Sequence, residues 1–323
     1  MSYHFSAWTW GIRCMVLVSM MAAAGCKPPS VIILPVTRES TIYVANFGGN
    51  SITEYPLNAS GNAAPFITIS GAATNLGGPF GIAVDAQGKI YVANASTNAV
   101  TVFAANASGN AAPVQTIVGA ATGLAVPLGI AVDSSDDIFV VNEGVSVTEY
   151  APGATGDVAP TNTISGSNTG FGDTTGISVD STGKIYVVEF SNSTIKEFAS
   201  GSSGNVAPTN VIGGASTTLN GPEQLSLDGA GRILVADRSA ANVAIFASSA
   251  SGNTAPVVSL AGAATLLSGP EGVVEEQDGR IIEADGANAV NVYAAAANGN
   301  IAPMATIAGA ATGLNAVRFV AVH

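Results

Sequence analysis

The sequence predicts an all-β fold, a six-bladed β-propeller of four-stranded blades whose ring is closed by the C-terminal strand. Three observations carry that expectation. The stretch at residues 79–126, PFGIAVDAQGKIYVANASTNAVTVFAANASGNAAPVQTIVGAATGLAV, returns at Pro127, Thr174, Pro222 and Pro270, and a further copy opens at Val317, a period of 47 or 48 residues. Each copy contains four short runs of strand-forming residues parted by Gly, Asn, Asp, Ser and Pro clusters, the signature of an antiparallel meander. The second of these runs occurs six times, and the first occurrence lacks a run before it; VRFVAVH at 317–323 aligns with PFGIAVD and supplies it. Four strands repeated radially make a propeller, and joining the two chain ends in one blade leaves no bare edge beside the core.

In the copy at 79–126 the strands are expected at Gly81 to Val84, Lys89 to Ala93, Ala99 to Ala104 and Pro113 to Val118. The first hairpin turns through Asp85-Ala86-Gln87-Gly88, where Asp accepts from turn amides and Gly supplies the unusual backbone angle. Asp133, Asp180, Asp228 and Glu276 take the same place in other copies. The third hairpin is expected at Asn106 to Asn110, and Pro113 beyond it suits an outermost strand, where a missing amide costs no ladder bond. The second strands read TIYVAN, KIYVAN, DIFVVN, KIYVVE, RILVAD and RIIEAD. An aromatic closes each third strand (Tyr55, Phe103, Tyr150, Phe198, Phe246 and Tyr293), which suits packing between blades better than a sugar-binding platform.

Composition agrees with a packed, turn-rich domain: 47% of residues are hydrophobic, only 10% are charged, and glycine numbers 38. The net charge of −12 repels phosphate backbones, so nucleic acid is not an expected partner. Ahead of the repeat, Arg13 and the apolar run from Cys14 to Ala24 read as an export signal over residues 1–25, too short to span a bilayer. Residues 26–40, with Pro28, Pro29 and Pro35, read as a tether. The propeller is expected over 41–323. Removing the signal takes Cys14 and leaves Cys26 as the only thiol, so no internal disulfide can form.

The units PFGIAVDAQGKIYVANASTNAVTVF and PEQLSLDGAGRILVADRSAANVAIF resemble NHL repeats: a Pro-Gly opening, an Asp turn, a YVAD-like strand, an Asn, and a third strand ending in an aromatic. The resemblance covers residues 41–323 and departs at Ser146, where the loop Asn is missing, and at Glu276. It implies a propeller; it does not select an activity, because such propellers serve as scaffolds, lyases and lactonases. Ala23-Ala24-Gly25-Cys26 resembles the bacterial lipobox, with Ala23 where that pattern prefers Leu. This implies lipidation of Cys26 and a chain held at the bacterial envelope, its contact with the membrane made through a lipid anchor only.

Antiparallel order puts the starts of the inner strands, the ends of the second strands and the GAATGL-type crossings on one face of the disc, here the upper face. The position after the opening Pro reads Phe80, Leu128, Thr175, Glu223, Glu271 and Arg318 round the ring; the end of the second strand reads Asn46, Asn94, Asn142, Glu189, Asp237 and Asp285. Two readings stand. Phe80, Glu223, Glu271 and Arg318 could fix a small ligand at the channel mouth, and Glu189, Glu223, Asp237, Glu271 and Asp285 could hold a divalent cation such as calcium. Alternatively the strand-end residues brace their own loops and the glutamates are solvated. The histidines are His4, in the signal, and His323, so a lyase relying on histidine for metal binding or proton transfer finds little to use. The leading expectation is a non-enzymatic binding or scaffold propeller whose upper face takes a protein, glycan or small molecule. A metal-dependent hydrolase or lactonase is the alternative, and a purely structural surface protein a third.

Overall fold

Alternating apolar residues make each strand a two-faced ribbon, and in a closed ring both faces must be covered by neighbouring ribbons. That requirement is met six times. The structure, a computed structural model, describes residues 40–323. The expected export signal, the tether up to residue 39 and Cys26 lie outside the described residues.

Twenty-four strands form six four-stranded antiparallel sheets. Blade 1 joins the two ends of the chain: Val317–Val322 is its inner strand, followed outward by Thr41–Asn46, Ser51–Pro56 and Ile67–Ser70. The inner strands of blades 2 to 6 are Pro79–Val84, Pro127–Val132, Thr174–Val179, Pro222–Leu227 and Pro270–Glu275. The six-bladed, all-β architecture and its closure by the C-terminal strand are therefore as the period predicts. Strand limits differ in detail. The inner strand of blade 2 begins at Pro79 instead of Gly81, because Pro79 pairs with Asn94 ahead of a bulge. The outer strand is only Gln115–Ile117, with Pro113 standing before it.

The core lies in the seams. Six clusters of buried residues each draw on two adjacent blades: Tyr91, Val100 and Ile117 of blade 2, for example, pack with Ile130, Val140 and Tyr150 of blade 3. The strand-ending aromatics are all fully buried there. Each contributes roughly 1.5–3 kcal/mol of apolar burial, and the tyrosines add a bond across the seam. Tyr150 Oη donates to the carbonyl of Thr122 at 2.6 Å and Tyr293 Oη to that of Thr265 at 2.6 Å; Tyr55 does the same to Thr312.

The stretch read as a third hairpin does something else. Residues 106–110 leave their own blade and clasp the outer strand of the preceding one. Gly109 N–H donates to Thr68 O at 2.7 Å, Ser70 N–H donates to Gly109 O at 2.9 Å, and Asn110 Oδ1 accepts from Ala73 N–H at 2.7 Å. The same Gly-Asn or Gly-Asp pair recurs at every seam as Gly61-Asn62, Gly156-Asp157, Gly204-Asn205, Gly252-Asn253 and Gly299-Asn300. The clasp needs φ of 59° at Gly109 and 118° at the opposing Gly71, where an added Cβ would lie 2.5 Å from Asn110 Oδ1. The outer edges are thus paired, which is how a sheet avoids offering a free ladder.

Asn110→Ala and Asn62→Ala, each uncapping one amide, are expected to cost about 1 kcal/mol of stability. Because the seams are alike, the variant at the closing seam should cost no more than the internal one, a comparison made by denaturant titration.

Candidate functional site: a bowl at the upper mouth of the ring

Each inner strand starts at the upper face, so its second residue rims the central channel and its third lies deeper. Third-position glycines let inner strands approach: a Cβ on Gly81 would stand 2.3 Å from Leu128 O, and one on Gly129 would stand 2.6 Å from Thr175 O. Blades 5 and 1 carry Gln224 and Phe319 there instead. Gln224 Oε1 accepts from Val273 N–H at 2.9 Å, and Phe319 meets Phe80 edge-on at 5.3 Å between centroids. Above this floor is a cavity of about 400 Å³.

Phe80, Leu128, Thr175, Glu223 and Arg318 line it, as the ring position after the opening proline indicates. A second ring, one residue past the end of the second strands, supplies Phe47, Ala95, Glu143, Phe190 and Arg238. This ring was not picked out from the sequence, which was read only as far as the strand ends; extending the count by one residue would have found it. Asp173, immediately before the inner strand of blade 4, joins the lining.

Glu223, Glu271 and Arg318 do come together, and Arg238 binds them into one network. Glu271 Oε1 accepts from Arg318 Nη1 at 2.8 Å and lies 3.4 Å from Arg238 Nε; Arg238 Nη1 donates to Glu223 Oε1 at 3.2 Å. The Arg318 guanidinium is 5.3 Å from the Phe47 ring and 5.0 Å from the Phe80 ring, so two aromatic faces fix it. Glu223 is 4% exposed and Glu271 1%. Burial first, then the neighbouring Glu271 charge, pushes the Glu223 carboxyl up to about 7 against the pull of Arg238 and Arg318. Burial also raises Glu271, which both arginines oppose.

The strand-end residues sit one layer out, fully buried, and hold the crossings. Asn94 Oδ1 accepts from Gly77 N–H at 3.0 Å; Glu189 Oε2 accepts from Gly172 and Asp173 N–H at 2.9 and 3.1 Å; Asp237 Oδ2 accepts from Asn220 N–H at 2.6 Å; Asp285 Oδ2 accepts from Ser268 and Gly269 N–H at 2.7 and 3.1 Å. Glu189 also pairs with Lys196 at 3.3 Å. The five carboxylates considered for a cation thus divide between loop bracing and the arginine network. Among the described residues no group of three or more His, Cys, Asp or Glu is placed to hold a metal ion. His323 Nε2 lies 3.3 Å from Ala86 O, at the lower end of its inner strand and away from the bowl.

One further acid escaped the sequence reading. Glu283 stands where the other second strands have Val44, Val92, Val140, Val187 and Val235, is fully buried, and takes a 2.9 Å bond from Asn291 Nδ2. Burial, Asp285 and Glu271 hold its carboxyl well above the ordinary range.

The fold holds the Glu223 proton between the ordinary carboxyl value of 4.5 and about 7. Stability from this group is full below the lower value and is lost as pH rises through that window, by up to about 3 kcal/mol. Glu223→Gln is expected to remove this loss, so the variant gains on the wild type between about pH 5 and pH 8 in urea unfolding.

No family model matches the chain, and no curated protein matches it. Solved structures do. A protein of unknown function from Bacteroides caccae superposes with a TM-score of 0.65 at 11% identity, over 88% of this chain and 99% of that one. The nidogen/laminin complex gives 0.62 at 16% identity, over 88% and 98%. Streptogramin B lyase gives 0.52 at 11% identity, over 79% and 84%. At these identities the likeness is one of fold: the chain is a β-propeller, and its chemistry has to be read from its own bowl.

Proposed function

We propose that the protein is a non-enzymatic binding propeller that receives a small ligand in the upper bowl. The observation that carries this reading is the break in repetition at the mouth. Blade interiors repeat nearly verbatim, yet the two rim rings bring three phenylalanines, two arginines and three glutamates, with Asp173 beside them, to a concave site of about 400 Å³, closely below or along its wall. Concave, largely apolar sites with a few fixed polar groups are where ligands bind. The nidogen/laminin likeness supports the wider idea that such a disc presents a face to a partner. The metal-dependent hydrolase reading has no comparable support, since the candidate carboxylates are spent on loops and arginines.

The reading extends to the rest of the chain. We take the blades as NHL-like on the motifs quoted above, and Cys26 as the lipid attachment that tethers the exported domain to a bacterial membrane.

Two measurements test this. A small-molecule screen by thermal shift should return binders whose effect is lost in Leu128→Trp, which fills the bowl; binders indifferent to that change would count against the site. Metabolic labelling with a tagged fatty acid should mark the wild type and not Cys26→Ser, and equal labelling of both would remove the anchor.

A further inference from the structure

We infer that the ligand of this bowl is a zwitterion, a compact molecule whose carboxylate is bound by Arg238 and Arg318 and whose ammonium group is received by Glu143 and Asp173 across the mouth. The inference rests on the bowl being the binding site and adds the chemical class.

The two sets of charges occupy opposite sectors. Inner strands contact one another in ring order, blade 6 lying between blades 5 and 1. Arg238 belongs to blade 5, Glu271 to blade 6 and Arg318 to blade 1, so the cationic sector is centred on blade 6. In a ring of six, blade 3 is diametrically opposite, and Glu143 leaves its second strand; Asp173 opens blade 4 beside it.

The cationic sector has hydrogen-bonding capacity left over. One carboxylate, Glu271, gathers both guanidiniums, and among the described residues neither Arg238 Nη2 nor Arg318 Nη2 has a hydrogen-bond partner. Glu223, 4% exposed and lining the bowl, uses Oε1 on Arg238, and among the described residues its Oε2 takes no hydrogen bond. With its carboxyl pushed up to about 7, Glu223 offsets the second arginine only in part around neutrality, and its protonated form can donate an O–H to an incoming anion. The acidic sector is equally unspent. Among the described residues Glu143 and Asp173 have no cationic partner; Asp173 Oδ2 accepts only from Ser191 Oγ at 2.7 Å. Phe190 and Leu128 lie on the acidic side, Phe47 on the cationic side and Phe80 of blade 2 between them, giving the body of the ligand an apolar bed.

A simple anion would gain the arginines but meet two unpaired carboxylates and a chain of net charge −12. A simple cation would gain the carboxylates but meet two guanidiniums. Only a molecule carrying both charges is attracted by both sectors, and a dianion such as phosphate is disfavoured more than a carboxylate.

The test is calorimetry on the full chain with three probes of equal length: 6-aminohexanoate, hexanoate and hexylamine. The zwitterion is expected to bind at least about tenfold more tightly than either single-charge probe. Arg238→Gln should reduce it to the level of hexylamine, and Glu143→Gln with Asp173→Asn to the level of hexanoate, in variants whose unfolding midpoints match the wild type. Equal binding of a single-charge probe would overturn the zwitterion while leaving the bowl as the site, and so would failure of all three probes alongside screen hits that Leu128→Trp abolishes. Screen hits unaffected by Leu128→Trp would overturn both readings.

Discussion

The structure depends on the satisfaction of each blade's outer edge by the next blade. A four-stranded sheet packed through its faces still exposes a row of amides and carbonyls on its last strand. The glycine clasps take up that row, with Gly109 on the outer strand of blade 1 and its equivalents at the other seams, while the adjoining Asn or Asp side chains cap the short turns that begin each crossing. Apolar packing within the seam then has a fixed geometry to work against. The crossing turns carry the inner strands to the channel, so the clasp at the perimeter ultimately sets where Glu223 and Arg318 stand.

Against this uniform frame the charged network at the mouth is a local departure. Two arginines and two buried glutamates in contact are costly to desolvate, and burial alone favours neutral acids. The raised Glu223 and Glu283 carboxyls follow from that: burial and neighbouring carboxylates outweigh the arginines at Glu223 and the Asn291 bond at Glu283. The ion pairs that remain are geometrically tied, Glu271 holding two guanidiniums and two phenylalanine rings holding one of them.

Much of this was legible from the sequence, in an uneven way. Period, strand runs and the alignment of VRFVAVH with PFGIAVD establish the fold because they report short-range backbone preference repeated at a fixed interval. The rim position after the opening proline, and with it Phe80, Glu223, Glu271 and Arg318, follows from strand direction alone. Arg238, Phe47, Glu143 and Phe190 were missed for a trivial reason of counting. The clasp was missed for a physical one: Asn106 to Asn110 has the composition of a turn, and its bonding partners lie 37 to 41 residues away on the preceding blade. Burial of Glu283 is likewise a property of the packed seam; within RIIEAD the residue looks like any strand glutamate.

The clasp also gives the ring a direction. Each blade reaches back to hold its predecessor and is held by its successor, and the pair Gly61-Asn62 performs for the first and last blades what Gly109-Asn110 performs for covalently joined neighbours. Chain connectivity is therefore not what tells one blade which neighbour to accept. The chain could be opened at a different seam and its ends rejoined with every clasp still meeting its complement; the residues peculiar to single blades, those round the mouth and seam residues such as Glu283, would keep track of which blade is which.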